Sequence, residues 1–308
     1  MSESRHNPDQ LLKEIQADEE NRNKGHLKIF FGYAAGVGKT YAMLEAAHME
    51  KQQGIDVVAG YVETHARPKT AALLNGLEVL PTREVFYNGM ILDEFDIGMA
   101  LKRKPQLILV DELAHTNAEG CRHAKRYQDI KELLNAGIDV YTTVNVQHIE
   151  SLCDTVASIT EIDVRERIPD SIFDNADQVE LIDIEPQDLI NRMNTGNVYR
   201  QTQAKQAVEN FFTIENLTAL REISLRRCAD RVNILTENTR IKNHGDYHTG
   251  EHILVCLSSS PSNAKIIRTA AKMASAFKGE FTALFVETPD FLVMSEENVK
   301  RLLSLIHI

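Results

Sequence analysis

Leu107-Ile108-Leu109-Val110 is the most constraining stretch of this 308-residue chain. Four successive aliphatic side chains leave neither face of an extended segment polar, so the segment belongs in the middle of a sheet covered on both sides. Similar strand-like runs recur at residues 27–31, 56–61, 85–87, 138–144 and 179–184. Apolar residues at helical spacing fill the intervals at 41–51, 69–77, 92–102, 122–135 and 148–158. Strands that alternate with helices build a largely parallel sheet with helices on both faces. The expected fold class is therefore α/β.

Pro186 opens a mainly helical region, with a long helix expected from about residue 204 to 232 and an interruption at 212–216. Residues 239–250 read as a polar joint, after which the pattern restarts with a strand at 252–257, a helix at 263–277, a strand at 280–286 and a helix from 298. Three parts follow: a polar arm over 1–24, an α/β domain with a helical extension over 25–238, and a second α/β domain over 250–308. A single strand–helix–strand unit is too small for a core of its own, so the second domain reads as incomplete.

Composition narrows the partners. Hydrophobic residues at 43% supply a sizeable core, filled by aliphatic side chains because Trp is absent. The net charge of −11 and the lack of a long basic stripe argue against nucleic acid, and the Arg226-Arg227 pair reads as a solvated helix face. Residues 1–24 lack the apolar core of a signal peptide, and no run approaches the ~18 apolar residues that span a bilayer, so a cytoplasmic chain is expected. Cys121, Cys153, Cys228 and Cys256 are scattered, which favours reduced, mostly buried thiols over a zinc site or disulfides.

Gly36-Val37-Gly38-Lys39-Thr40 joins the first strand to the first helix. Glycines let a backbone curl so that successive N–H groups face one anion, and the helix that follows aims its positive end at the same point. Lys39 is then placed for the β- and γ-phosphates of a nucleoside triphosphate, ATP by expectation, and Thr40 for Mg²⁺. The strict pattern is Gly, four intervening residues, then Gly-Lys-Thr; here Tyr33 stands at the first position and Gly32 lies one residue early. The strand–loop–helix context refines the fold class to a P-loop NTPase-like sheet.

Asp111 and Glu112 follow the buried strand directly. A carboxylate at the carboxyl edge of a parallel sheet lies near the phosphate loop, so Asp111 is expected to hold Mg²⁺ and Glu112 to orient water for attack on a phosphate. Thr142, Thr143 and Asn145 end another strand at the same edge; Asn145 suits either a phosphate contact or a turn. His115, His123 and His148 match no ligand spacing and read as solvated or hydrogen-bonded.

Longer motifs then carry a resemblance. Val62-Glu-Thr-His65, Leu109-Val-Asp-Glu-Leu-Ala-His-Thr-Asn117, Val140-Tyr-Thr-Thr-Val-Asn-Val-Gln-His148 and Val208-Glu-Asn-Phe-Phe212 resemble the cytoplasmic N-terminal region of the KdpD family. These are sensor histidine kinases of Kdp potassium-uptake systems. The resemblance implies a two-component input module that senses ATP and acts on the membrane and kinase portions of a longer sensor. The second domain resembles a universal stress protein module, which in some members binds cyclic di-AMP through Ser-x-Ser and a later Phe-Thr-Ala-x-Tyr. The corresponding residues are Ser258, Ser260, Phe281, Thr282, Ala283 and Phe285, with Phe285 in place of Tyr. A serine-rich turn is also a good helix N-cap, so both readings stand.

The Asp-x-Gly-x-Gly box of histidine kinases does not occur, so this chain is expected to act as an input half without the kinase core. At most slow ATP hydrolysis is expected, because no arginine is evident to stabilise the transferring phosphate. The alternative is a free-standing P-loop NTPase or small-molecule kinase.

Overall fold

The computed structural model describes residues 24–64, 67–87, 89–194, 211–243, 252–257, 263–276 and 279–286. Ser258, Ser260, the 1–24 arm up to residue 23, the 204–210 helix start and the helix from 298 lie outside them.

In the first part, β1 (Leu27–Gly32) leads to α1 (Lys39–Gln52), β2 (Val57–Tyr61), α2 (Pro68–Ala72) and a two-residue β3 (Glu78–Val79). A hairpin of β4 (Arg83–Tyr87) and β5 (Met90–Glu94) precedes α3 (Ile97–Arg103) and β6 (Leu107–Val110). Then come α4 (Arg126–Asn135), β7 (Asp139–Asn145), two 3₁₀ turns at Val146–His148 and Glu150–Leu152, α5 (Cys153–Thr160) and α6 (Asp170–Asp174). Next are β8 (Gln178–Leu181), α7 (Pro186–Asn194) and α8 (Ile214–Asn243). The last elements are β9 (His252–Leu257), α9 (Asn263–Ala276) and β10 (Glu280–Phe285).

Six strands form one parallel sheet in the order β3-β2-β6-β7-β1-β8. Period-two alternation sorts its side chains to two faces. Phe30, Val57, Ala59, Leu107 and Leu109 pack against Met43, Leu44 and Ala47 of α1. Ile29, Phe31, Val58, Ile108, Val110 and Val140 face the opposite side, with Ile130 and Leu133 of α4, Phe173 of α6, Leu189 of α7 and Leu217 and Leu220 of α8. The four aliphatics of β6 are all buried, as a strand covered on both faces requires. The fold is α/β, with a parallel six-stranded sheet flanked by helices.

Several boundaries differ from the sequence expectation, each for a local reason. The expected helix at 92–102 is strand up to Glu94 and helix only from Ile97, because Asp96 caps that helix by accepting from Met99 N–H at 2.9 Å. β4 pairs antiparallel with β5, and Gly89, between Tyr87 and Met90, lies at φ 82°. Helix 69–77 stops at Ala72, helix 122–135 starts at Arg126, and helix 148–158 becomes two tight turns followed by α5. The joint expected from residue 239 is still helical to Asn243.

Two side-chain expectations are also corrected. Arg227 is not solvated: it is 7% exposed, ion-paired with Asp170 and Asp174, and its guanidinium lies 4.7 Å from the Phe173 ring centre. Arg226 alone is exposed, paired with Glu222 one turn away. Of the four free thiols only Cys153 is buried; Cys256 is exposed. Among the described residues no helix is long and apolar enough to cross a membrane.

The chain divides into two compact units, 1–229 and 230–308. In the second unit β9 and β10 form a parallel pair of their own, in register from His252↔Glu280 to Leu257↔Phe285.

Candidate functional site

Gly32 ends β1, and its lack of a side chain is what lets the next turn close. A methyl there would come within 2.7 Å of Val37 Cγ2, 3.2 Å of Lys39 Cδ and 3.3 Å of the Ile182 carbonyl. The stem of Lys39 folds back across that space. This explains a glycine one residue ahead of the expected position. Tyr33, standing in that position, is fully buried and its hydroxyl donates to the Ile184 carbonyl at 3.1 Å. Burial, reinforced by Asp183, pushes its phenol up to about 12.

The loop curls on Gly36 and Gly38, at φ 92° and 114°, a region that side-chain-bearing residues rarely enter. Gly38 is the N-cap of α1 and no side chain caps that helix. The positive end of a 14-residue helix is therefore left to whatever occupies the loop.

Lys39 opens α1 and is 8% exposed. Its ammonium donates to the Ala34 carbonyl at 3.0 Å and to Asn145 Oδ1. Asn145 is in reach because β1 and β7 pair in register, with Gly32 level with Asn145. Burial pulls the Lys39 ammonium down to about 8, opposed by the charge of Asp111 and reinforced by that of Arg67.

Asp111 lies just beyond β6 and is 1% exposed. Its Oδ2 accepts from Thr40 Oγ1 at 3.0 Å and from Glu63 N–H at 3.4 Å; its Oδ1 accepts from Glu112 N–H at 3.1 Å and from the Thr143 hydroxyl. β6 is not next to β1. β7 lies between them, so Asp111 meets the loop through Thr40 of α1 and through Thr143 of β7. Glu112 takes a left-handed backbone at φ 60°, a conformation that costs of order 1 kcal/mol without glycine. Burial, then the neighbouring Asp111 charge, raises its carboxyl above the ordinary range.

Behind these residues lies a buried polar cluster that sequence reasoning did not find. Arg126 is completely buried on α4. It donates from Nη1 to the Asp111 carbonyl at 3.2 Å, from Nη2 to Glu94 Oε2 at 3.1 Å and from Nε to Asn117 Oδ1 at 3.3 Å. Its guanidinium lies 4.3 Å from the Tyr61 ring centre. Glu94 also faces His115 Nε2 at 3.1 Å and accepts from Ala118 N–H at 2.8 Å. Burial pushes the Glu94 carboxyl up, but those hydrogen bonds and the adjacent cations hold it below the ordinary value. A charged residue within a helical pattern is normally read as exposed, so no sequence signal marked Arg126. The Asn-Gly turn could have placed Glu94 at the inner end of a hairpin.

The loop and the strand ends border one cleft open to solvent, with the Arg126 cluster behind it. Gly36, Gly38, Lys39, Thr40, Asp111, Glu112 and Asn145 line it, as does Arg67, which the sequence reading passed over. His115, His148 and Glu166 also border it. His148 is hydrogen-bonded through Nδ1 to the Glu166 carbonyl at 2.8 Å, and burial lowers its pKa.

In the second unit the register sets Phe285 beside Leu257, at the carboxyl end of β9. Phe281 lies at the other end of β10, four residues or ~13 Å away at about 3.3 Å per residue. Thr282 faces His252, Oγ1 to Nε2 at 2.8 Å. Ala283 is exposed midway.

Residues 23–232 match the KdpD family model, described as the osmosensitive K⁺ channel His kinase sensor domain. The sensor protein KdpD of Clostridium acetobutylicum is 58% identical over 287 residues, 92% of this chain and 32% of the relative. The sensor protein KdpD of Escherichia coli K12 is 50% identical over 305 residues, covering 97% and 33%. A putative sensor protein KdpD of Synechocystis is 47% identical over 263 residues, covering 85% and 70%. The chain thus spans about a third of the length of the first two relatives. It belongs to the KdpD sensor-domain family.

Proposed function

We propose that the cleft binds Mg-ATP and that the chain is the ATP-binding regulatory input module of a potassium-responsive two-component sensor histidine kinase. The carrying observation is the convergence of Lys39, Thr40 and Asp111 on one cleft at the uncapped N-terminus of α1. The backbone of Gly36, Val37 and Gly38 would cradle phosphate oxygens. Lys39 would hold the β- and γ-phosphates, exchanging its Ala34 and Asn145 partners for them, and Asn145 would then face the terminal phosphate. Thr40 and Asp111 offer oxygen donors already 3.0 Å apart, the donor type that Mg²⁺ prefers. Bound there, the ion would neutralise charge on the phosphates.

Regulation is the preferred role. The family to which the chain belongs is a sensor family, and the curated relatives are sensor proteins of about three times its length. By this reading the module works on the cytoplasmic side and ATP occupancy biases the kinase portion. Cyclic di-AMP is the ligand proposed for the second unit, through Ser258, Ser260, Phe281, Thr282, Ala283 and Phe285. A slow NTPase is the second reading, favoured by one observation: Glu112 combines a strained backbone with a carboxyl raised by burial, as suits a group that accepts a proton from water.

Calorimetric titration with Mg-ATP tests the first reading. Lys39→Ala removes a charge-assisted contact of ~1.5–3 kcal/mol, so affinity is expected to fall at least about tenfold. Unchanged affinity would remove the cleft as the ATP site.

A further inference from the structure

Lys39 shares the cleft with a second cation, Arg67. The two arrive from different connections: Lys39 from the loop after β1, Arg67 from the segment after β2. Pairing of β2 with β6 brings that segment beside the acidic end of β6. Asp111 N–H donates to the Tyr61 carbonyl at 2.8 Å, and Glu63 N–H reaches Asp111 Oδ2. Arg67 N–H closes a turn onto the Thr64 carbonyl at 2.9 Å. Pro68, first residue of α2, keeps Arg67 in extended backbone at φ −87° and ψ 112°. The guanidinium thus springs from a backbone constrained on both sides.

Two cations around one cleft repel, and the Lys39 ammonium registers that repulsion. An anion seated in the cleft they share relieves it and gains from both. Lys39 and the N-terminus of α1 belong to the loop itself and would engage any phosphate seated there. Arg67 belongs to a separate segment, so it can add discrimination that the loop does not supply. A guanidinium presents a planar fork of donors matched to phosphate oxygens, which a second lysine would not.

We propose that Arg67 contacts the outermost phosphate of the nucleotide and thereby sets a preference for triphosphate over diphosphate. This rests on the ATP-binding reading of the cleft.

The test is a titration of the full chain and of Arg67→Ala, Arg67→Gln, Arg67→Lys and Lys39→Ala with Mg-ATP and Mg-ADP separately. Arg67→Ala and Arg67→Gln are expected to lower ATP affinity roughly tenfold or more while changing ADP affinity less than about threefold. Arg67→Lys, which keeps charge but loses the fork, should recover part of the ATP affinity. Lys39→Ala should weaken both nucleotides. Equal losses for ATP and ADP in the Arg67 variants, or no loss for either, overturn the proposal and leave the binding reading standing. A wild-type chain that binds neither nucleotide overturns both. Arg67→Gln keeps the test valid if Arg67→Ala melts early, since it retains bulk and hydrogen-bonding capacity.

Discussion

Two strands of this chain are each followed by a helix of 14 residues, at β1–α1 and at β9–α9. The first strand buries five of its six residues, and it is flanked by β7 and β8. The second buries only Val255 and, among the described residues, pairs with β10 alone. The comparison teaches that a strand and the helix after it form a lined cleft only where neighbouring strands bring side chains to their junction. In the first unit, neighbouring strands deliver Asn145, Thr143 and Asp111 to the turn, and a covered sheet makes a nearly buried lysine tenable. In the second, β10 sets Phe285 beside Leu257, and Leu254, Phe281 and Leu284 are exposed.

The largest expected difference between the two is in amide exchange. Opening free energies run from near zero to the global value, ~5–15 kcal/mol for ordinary domains. Amides of β1 and β7 should exchange at least ~10³-fold more slowly than those of β9 and β10, a gap of about 4 kcal/mol. Equal protection in both pairs would dissolve the contrast.

Next in size is Arg126→Ala. Removing one partner of a buried pair leaves Glu94 charged, 3% exposed and without its guanidinium, at a cost of ~3–5 kcal/mol. Denaturant unfolding should show that loss in the transition of the first unit and leave β9–β10 exchange unchanged. A loss below ~1 kcal/mol would mean that His115 and Ala118 N–H suffice for Glu94.

The smallest is a pH effect. Lys39 titrates at about 8 when folded, below its ordinary 10.5. A depressed lysine binds fewer protons folded than unfolded between these values, so it opposes folding fully below about pH 8, and this opposition fades as pH rises from there to about 10.5. Nucleotide affinity runs the other way: ATP favours the protonated ammonium, so affinity should fall as pH rises through about 8. Lys39→Ala should abolish that dependence. A flat profile in the wild type between pH 7 and 9.5 would contradict the buried, charge-coupled lysine.

Much of the fold could be read because it rests on local pattern. Leu107-Ile108-Leu109-Val110 announced a buried strand, and the runs at 27–31, 56–61 and 138–144 lie where β1, β2 and β7 are observed. The second strand of the hairpin escaped because Leu92 and the apolar residues after it also suit a helix, and only the Asn-Gly dipeptide in the sequence distinguishes the two. Buried Arg227 and Arg126 escaped because side-chain type predicts exposure on average, whereas their carboxylate partners are remote in sequence: Asp174 for one, Glu94 for the other.

By itself the sequence determined the strand–loop–helix of residues 27–52, the glycines that permit its curl, and the acids that follow β6. These are short-range matters of backbone freedom and periodicity. Only the tertiary structure decided that β7 lies between β1 and β6, and hence that Asn145 meets Lys39 and Thr143 meets Asp111. It also brought Arg67 to the cleft and enclosed Glu94 with Arg126. Strand order and register depend on how two hydrophobic faces are covered at once, a long-range packing condition that no local window of residues contains.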